Sequence, residues 1–221
     1  MSVRFRLPPP GALRPNNDVD PFKFYYRPLI GRVFAARLEV GLRLIDARFR
    51  RLLEIGYGSG LLMPTLAPIT DELYGADLER EPEGLRPALA RLGVHPTGLV
   101  QADIRKLPFP DGHFDGVVAF SILEHLKRDE LNEAAREVGR VLQPGGRFVV
   151  GCPAVHPAMN AAFAAIGFRG IDQHHFSGLP EVAQACAPYF TVEKRGALPD
   201  LLAHAPLGWA PYAALLLRKP W

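Results

Sequence analysis

The chain has 221 residues, a length that suits one α/β domain able to bury a sizeable core. With 48% hydrophobic and 22% charged residues it has the balance of a globular protein, and its net charge of +3 is modest for a nucleic-acid binder. Two cysteines, Cys152 and Cys186, exclude a disulfide scaffold and a Cys-rich zinc site and fit a reducing compartment. The opening segment, MSVRFRLPPPGALRPNN, lacks a signal peptide's apolar stretch, and no apolar run reaches the roughly 18 residues that span a bilayer. A cytoplasmic protein is expected. The charge is unevenly placed: residues 1–51 hold eleven Lys/Arg against four Asp/Glu, a net +7, which leaves −4 for the rest. Such a segment is either a solvated face, the default, or a contact for an anionic partner such as a membrane surface.

Residues 1–21, rich in Pro, Asn and Asp, read as a loose leader. A helix is expected over 28–50, with Ile30, Phe34, Leu38, Gly41 and Ile45 on one stripe. Its i,i+4 pairs would be Glu39/Arg43 and Asp46/Arg50. Residues 1–50 are thus expected to form a leader and an amphipathic helix that covers the site. From residue 51 strands and helices alternate. Strands are predicted at 51–55, 72–77, 98–103, 114–120 and 146–152, with helices from the glycine turn to about Thr70, over 82–92 and over 127–142. Pro144-Gly145-Gly146 is expected to stop the last of these helices. A short helix at 180–188 and strands at 189–195 and 212–219 complete the chain, the last two as an antiparallel pair at a sheet edge. This alternation predicts a mainly parallel sheet with helices on both faces.

Four positions carry candidate chemistry. Glu54-Ile55-Gly56-Tyr57-Gly58-Ser59-Gly60 follows a strand and is expected to open a helix. Glycines there permit a sharp turn and close backbone approach, and N–H groups at a helix start suit an anion. A dinucleotide enzyme would need a further glycine at 61, where Leu61 stands. Asp77 ends the second strand, 23 residues after Glu54, where a carboxylate can accept from both hydroxyls of a ribose; the competing reading is a helix cap. Asp103 ends the third strand and can accept from an exocyclic amine, with Ile104 and Leu78 placed to sandwich a flat base. Asp115 begins the fourth strand and Phe120-Ser121 end it.

LLEIGYGSG, YGADL, QADIRKLPFPDGHFDGVVAFSILEHL and EVGRVLQPGGRFVV, in this order, resemble the small-molecule class I methyltransferases of the type 11 group. The resemblance covers about residues 50–152. It implies a Rossmann-like, seven-stranded sheet of order 3-2-1-4-5-7-6 in a domain spanning 51–221. It also implies S-adenosyl-L-methionine as cofactor and S-adenosyl-L-homocysteine as product. Gly56, Gly58 and Gly60 would wrap the methionine part, and Glu54 would orient the loop or reach the amino group. Asp77 would bind the ribose, with Leu78 on the adenine. Asp103 would bind the adenine amine beside Ile104, and Ser121 would lie near the transferable methyl. Tyr57 departs from the family, which usually has a small residue there, so its side chain must point away from the cofactor or reshape that pocket.

Methyl transfer is an in-line displacement, so alignment and a dry site are the protein's main contribution. A protonated nucleophile needs a base, which points to histidine. The candidates are His125 in SILEHL and His174 and His175 in DQHHFS. His125 and His174 are also expected to face the substrate, and His156 is a weaker candidate. Tyr25 and Tyr26 are candidates for a substrate lid, with simple packing as the alternative. His113 is expected to be solvent exposed. The His174-His175 pair raises metal binding, but no Cys or Asp partner has ligand spacing, so no metal is expected. The expected partner is a small-molecule acceptor, with no nucleic acid; contact with a membrane surface is not favoured. A methyltransferase for a membrane-associated lipid or macromolecule, and a non-catalytic relative that only binds the cofactor, are the competing readings. The acceptor atom and the oligomeric state are not readable from sequence.

Overall fold

A computed structural model describes residues 3–17, 20–155 and 175–221. Seven strands form one sheet: β1 (Phe49–Ile55), β2 (Thr70–Asp77), β3 (Gly98–Gln101), β4 (Phe114–Phe120), β5 (Leu142–Pro153), β6 (Thr191–Leu198) and β7 (Tyr212–Arg218). Their order is β3-β2-β1-β4-β5-β7-β6, as the resemblance implies. All neighbours pair in parallel except β7, which runs antiparallel to both β5 and β6. The helices are α1 (Ile30–Leu42), α2 (Met63–Leu66), α3 (Pro82–Arg91), α4 (Arg128–Val141) and α5 (Leu179–Cys186).

The apolar runs become central strands because both sheet faces are covered. Alternate residues feed opposite cores. Leu52, Val118, Val149 and Leu216 pack on one face, with α1, α2, α3 and the leader. Leu53, Val117, Val150 and Leu215 pack on the other, with α4 and α5. All eight are fully buried, and each contributes on the order of 1.5–3 kcal/mol by leaving water. A one-residue slip in any of these strands would exchange the two cores.

Several local expectations are corrected. The leader is not loose: Val3 and Leu13 are buried, the Phe5 N–H donates to the Glu39 carboxylate (3.3 Å), and the Arg6 N–H donates to the Thr65 hydroxyl (2.9 Å). The helix expected over 28–50 spans only Ile30–Leu42, and β1 has begun by Phe49. The predicted pairs therefore dissolve. Arg43 pairs with Asp200 (2.8 Å), and Asp46 binds Arg147 (2.9 Å) and Lys194 (2.5 Å). The helix after the glycine turn is four residues, followed by a 3-10 turn at Ala67–Ile69, because Pro64 and Pro68 withhold N–H groups. It is too short to supply the helix-terminus charge expected of it.

Pro144-Gly145-Gly146 does end α4, yet it lies within β5 as an irregularity opposite Phe114 and Gly116. There the Lys219 ammonium donates to the Gly139 (2.7 Å) and Leu142 (2.6 Å) carbonyls, capping the end of α4. His113 is half-buried rather than exposed: its ring stacks on Phe109 and meets Tyr74 and Phe114 edge-on. Asp115 lies at the end of the sheet away from the glycine turn, where it accepts from the Arg50 and Arg51 N–H groups, both at 2.8 Å.

Candidate active site

The glycine turn leaves β1 at the carboxyl edge of the sheet, beside the ends of β2 and β4. Its three glycines all have positive φ, for three different reasons. A Cβ on Gly56 (φ +74°) would run into Ile122, and one on Gly60 (φ +76°) would press on Leu85 of α3 at 3.0 Å. A Cβ on Gly58 (φ +46°) would meet nothing within 4 Å. Gly58 therefore borders open space, the cradle a ligand's backbone-hugging portion needs. Tyr57 turns the other way. It is buried in the core, and its hydroxyl donates to the Arg80 carbonyl at 2.8 Å. This accommodates the tyrosine without filling the cradle.

Asp77 organises the edge. One carboxylate oxygen accepts from the Gly58 N–H (2.8 Å), and the other accepts from the Glu79 (2.9 Å) and Arg80 (2.8 Å) N–H groups. The side chain thus ties the glycine turn to the loop after β2 and caps that loop as well. Leu78 is 61% exposed, an apolar platform at the mouth, whereas Ile104 is buried. Asp103 stands where expected, but Arg105 clamps its carboxylate through Nε (3.0 Å) and Nη2 (2.6 Å) and reaches Glu130 (2.7 Å). Arg105 holds the Asp103 carboxyl below its ordinary range. An exocyclic amine would share that acceptor with a cation.

Glu54 is buried near the carboxyl end of β1, and its Oε2 has no hydrogen-bond partner. Burial, reinforced by the charge of Asp77, pushes its carboxyl well above the usual range. An unsatisfied buried carboxylate next to an open glycine cradle is suited to a cationic group such as an amino acid's ammonium.

The end of β4 forms the other half of the site. Ser121 adopts φ +57°, a left-handed conformation that costs about 1–3 kcal/mol in a non-glycine residue and clusters at functional sites. Its N–H donates to the Gly151 carbonyl (2.8 Å), and its hydroxyl shares a hydrogen bond with that of Tyr212 (3.3 Å). Glu124 lies beneath, 1% exposed, beside Ser121 and Cys152, and burial pushes its carboxyl up to about 8. Arg37 lies over the rings of Phe34 (4.1 Å) and Tyr212 (5.7 Å) and hydrogen-bonds the Tyr25 hydroxyl. Arg37, Glu124 and Tyr212 are site residues that sequence pattern alone does not single out. Only Glu124 carried a signal, a carboxylate adjoining His125.

His125 and His175 come together, with ring centroids 5.1 Å apart at 66°. The Glu124 carbonyl accepts from the Phe176 (2.7 Å) and Ser177 (3.2 Å) N–H groups, and the Ser177 hydroxyl donates to the Leu126 carbonyl (2.7 Å). These bonds pin the two segments to each other. His174 and His156 lie outside the described residues. Tyr25 is a core residue, packed against Phe5 and Phe34. Tyr26 is partly buried and donates to the Pro8 carbonyl (3.2 Å). The leader also reaches the glycine turn. The Asn17 amide donates to the Glu79 carboxylate (2.5 Å), and the Ser59 hydroxyl bonds the Asp20 carboxylate.

Comparison with known proteins agrees with this geometry. An uncharacterized methyltransferase, YcgJ of Bacillus subtilis, is 32% identical over 123 residues, 54% of this chain and 48% of that protein. The ubiquinone/menaquinone biosynthesis C-methyltransferase UbiE of Pseudomonas aeruginosa is 40% identical over 106 residues, 45% of this chain and 40% of that one. The chain therefore matches less than half the length of either relative. The solved structure of the N-methyltransferase NodS from Bradyrhizobium japonicum, in complex with S-adenosyl-L-homocysteine, superposes with a TM-score of 0.64 at 21% identity, covering 93% of this chain and 94% of that one. Residues 53–150 match the methyltransferase domain family. Over that stretch the chain is similar to a methyltransferase domain, and its sheet order is that of the fold it shares with the solved methyltransferase.

Proposed function

We propose that the protein transfers a methyl group from S-adenosyl-L-methionine to a small-molecule acceptor. The observation that carries this reading is the edge formed by Glu54, Gly58 and Asp77: an unsatisfied buried carboxylate, an open cradle and a carboxylate that ties the turn in place. When bound, the cofactor supplies an electrophilic methyl on a sulfonium, so no activation by the protein is required. The chain's own residues then have three tasks. Gly56, Gly58, Gly60 and Glu54 hold the amino-acid end. Asp77 and Leu78 hold the ribose and adenine, with Asp103 and Ile104 beside them. Ser121 and the pair His125 and His175 face the acceptor, where an imidazole can take a proton from a hydroxyl.

The leader and α1 are proposed as a cover for this site, through Asn17, Asp20 and the packed Tyr25 and Tyr26. Three of the eleven cations of residues 1–51 have acidic partners within the chain: Arg43 meets Asp200, Arg48 meets Asp71 and Arg51 meets Glu72. No helix among the described residues is long and apolar enough to cross a membrane. Cys152 and Cys186 are both free and buried, which suits a cytoplasmic setting. The named relatives methylate carbon in one case and nitrogen in another, so the acceptor atom is left to experiment.

Calorimetry with S-adenosyl-L-methionine and S-adenosyl-L-homocysteine tests the cofactor half; binding of neither would sink the proposal. An acceptor panel scored by mass gain of one methylene tests the rest, and cofactor binding without turnover on any member would favour a non-catalytic binder. Gly58→Val is expected to fold, with a penalty of about 1–2 kcal/mol from its left-handed backbone. It should lower homocysteine-product affinity by about tenfold or more, because the side chain fills the cradle. Unchanged affinity would place the cofactor elsewhere.

A further inference from the structure

We propose that Glu124, His125 and His175 form a site for one divalent transition-metal ion of the zinc class, at the acceptor end of the pocket. Each offers one donor atom, and the three atoms lie within 4.8 Å of one another. Two imidazoles and a carboxylate suit zinc, iron, copper or nickel rather than magnesium or calcium. Three protein ligands also leave a fourth position open.

An independent observation points the same way. Glu124 is 1% exposed and its Oε2 has no hydrogen-bond partner. A carboxylate withdrawn from water without full satisfaction is expensive, and a bound cation removes that expense. The frame is prepared as well. The Glu124 carbonyl receives the Phe176 and Ser177 N–H groups, so the segment carrying His175 is fastened to the segment carrying His125. Donors bonded to zinc at roughly 2.0–2.1 Å stand about 3.3 Å apart in a tetrahedral site. Side-chain rotations at the exposed His125 and the half-buried His175 would close the difference.

Spacing along the chain hides this site, because two ligands are neighbours at 124 and 125 and the third comes fifty residues later. The open position would take an oxygen or nitrogen lone pair of the acceptor. With the ion in place, both imidazoles serve as ligands and neither is a free base. That role in holding the acceptor rests on the methyltransferase reading; the site itself does not.

The test uses the full chain without a histidine tag, stripped with chelator and titrated with Co²⁺ while visible absorption is recorded. The expected result is one equivalent of Co²⁺ with ligand-field bands that Zn²⁺ abolishes. His125→Ala and His175→Ala should each weaken Co²⁺ binding by about tenfold or more, with circular dichroism unchanged and S-adenosyl-L-homocysteine affinity within about twofold of the parent. Glu124→Gln, which keeps the volume of the buried side chain, should weaken it likewise. Absence of bands at millimolar Co²⁺, or binding by His175→Ala as tight as that of the parent, would overturn the proposal. Failure of the parent to bind the homocysteine product would instead overturn the methyltransferase reading and leave the metal result standing.

Discussion

Asp77→Ala is expected to lower affinity for S-adenosyl-L-homocysteine by about a hundredfold or more, roughly 2.7 kcal/mol, and to destabilise the free protein as well. Two roles meet in one side chain. Its oxygens receive three backbone N–H groups, from Gly58, Glu79 and Arg80. Hydrogen bonds to a charged acceptor contribute about 1.5–3 kcal/mol each, and three that share one carboxylate do not add in full. A stability loss of about 2–4 kcal/mol follows, because the glycine turn and the loop after β2 lose their common anchor. Asp77→Asn separates the roles. Its single carbonyl oxygen can retain part of the anchoring, yet its amide can no longer accept as a carboxylate does. Product affinity should therefore fall further than stability in this variant. Thermal melts read one quantity and calorimetry the other. Unchanged product affinity in Asp77→Ala would refute the ribose assignment outright.

Glu54→Gln should behave in the opposite sense for stability and in the same sense for binding. In the folded protein the Glu54 carboxyl is pushed above its ordinary value of 4.5, first by burial and then by the Asp77 charge. The folded state therefore keeps a proton that the unfolded state has lost. Below about pH 4.5 both states are protonated and there is no penalty. As pH rises above that value, folding must either hold the proton or bury the charge, and stability falls by about 1.4 kcal/mol per pH unit until the folded group itself ionises. Glutamine never ionises. The variant should match the parent near pH 4 and melt higher than it at pH 8. A pH-independent difference in melting temperature would contradict the buried, protonated carboxyl. Ligand binding reverses the advantage, because an ammonium beside Glu54 restores the charged form. Binding to the parent near neutral pH should release up to one proton, visible as a buffer-dependent enthalpy in calorimetry. That release should vanish in Glu54→Gln, together with about tenfold or more of affinity.

Both variants act on residues that are legible in the sequence, and for a physical reason. An apolar run followed by glycines and an acid at the next strand end are local features, set by covalent spacing. The same holds for β1, β2, β4 and β7, whose apolar runs mark strands within a residue or two of their observed bounds. What escaped was non-local. The leader is polar and proline-rich, so it reads as loose, yet Val3 and Leu13 find a core supplied by later elements. The pairs at Glu39/Arg43 and Asp46/Arg50 look sound on a helix, but the helix ends at Leu42, and Arg43 and Asp46 find partners more than a hundred residues away. Tyr212 reaches Ser121 only because β7 returns between β5 and β6. Arg105 was invisible as Asp103's partner because proximity in sequence does not say where a guanidinium turns. His125 and His175 were singled out, but the carboxylate between them and the core was not.

The leader's contacts also set the order in which the site can be assembled. Arg6 waits for Thr65, and Asn17 waits for Glu79, partners made some sixty residues later. During synthesis these residues must stay unpartnered while β1, the glycine turn and β2 emerge, and closing so long a loop carries an entropic toll that only a formed sheet repays. Docking of the leader is accordingly a late event in maturation. A nascent chain that already carries the glycine turn therefore holds its leader made but undocked, and the turn takes shape before the contacts of Arg6 and Asn17 with Thr65 and Glu79 close over the sheet edge.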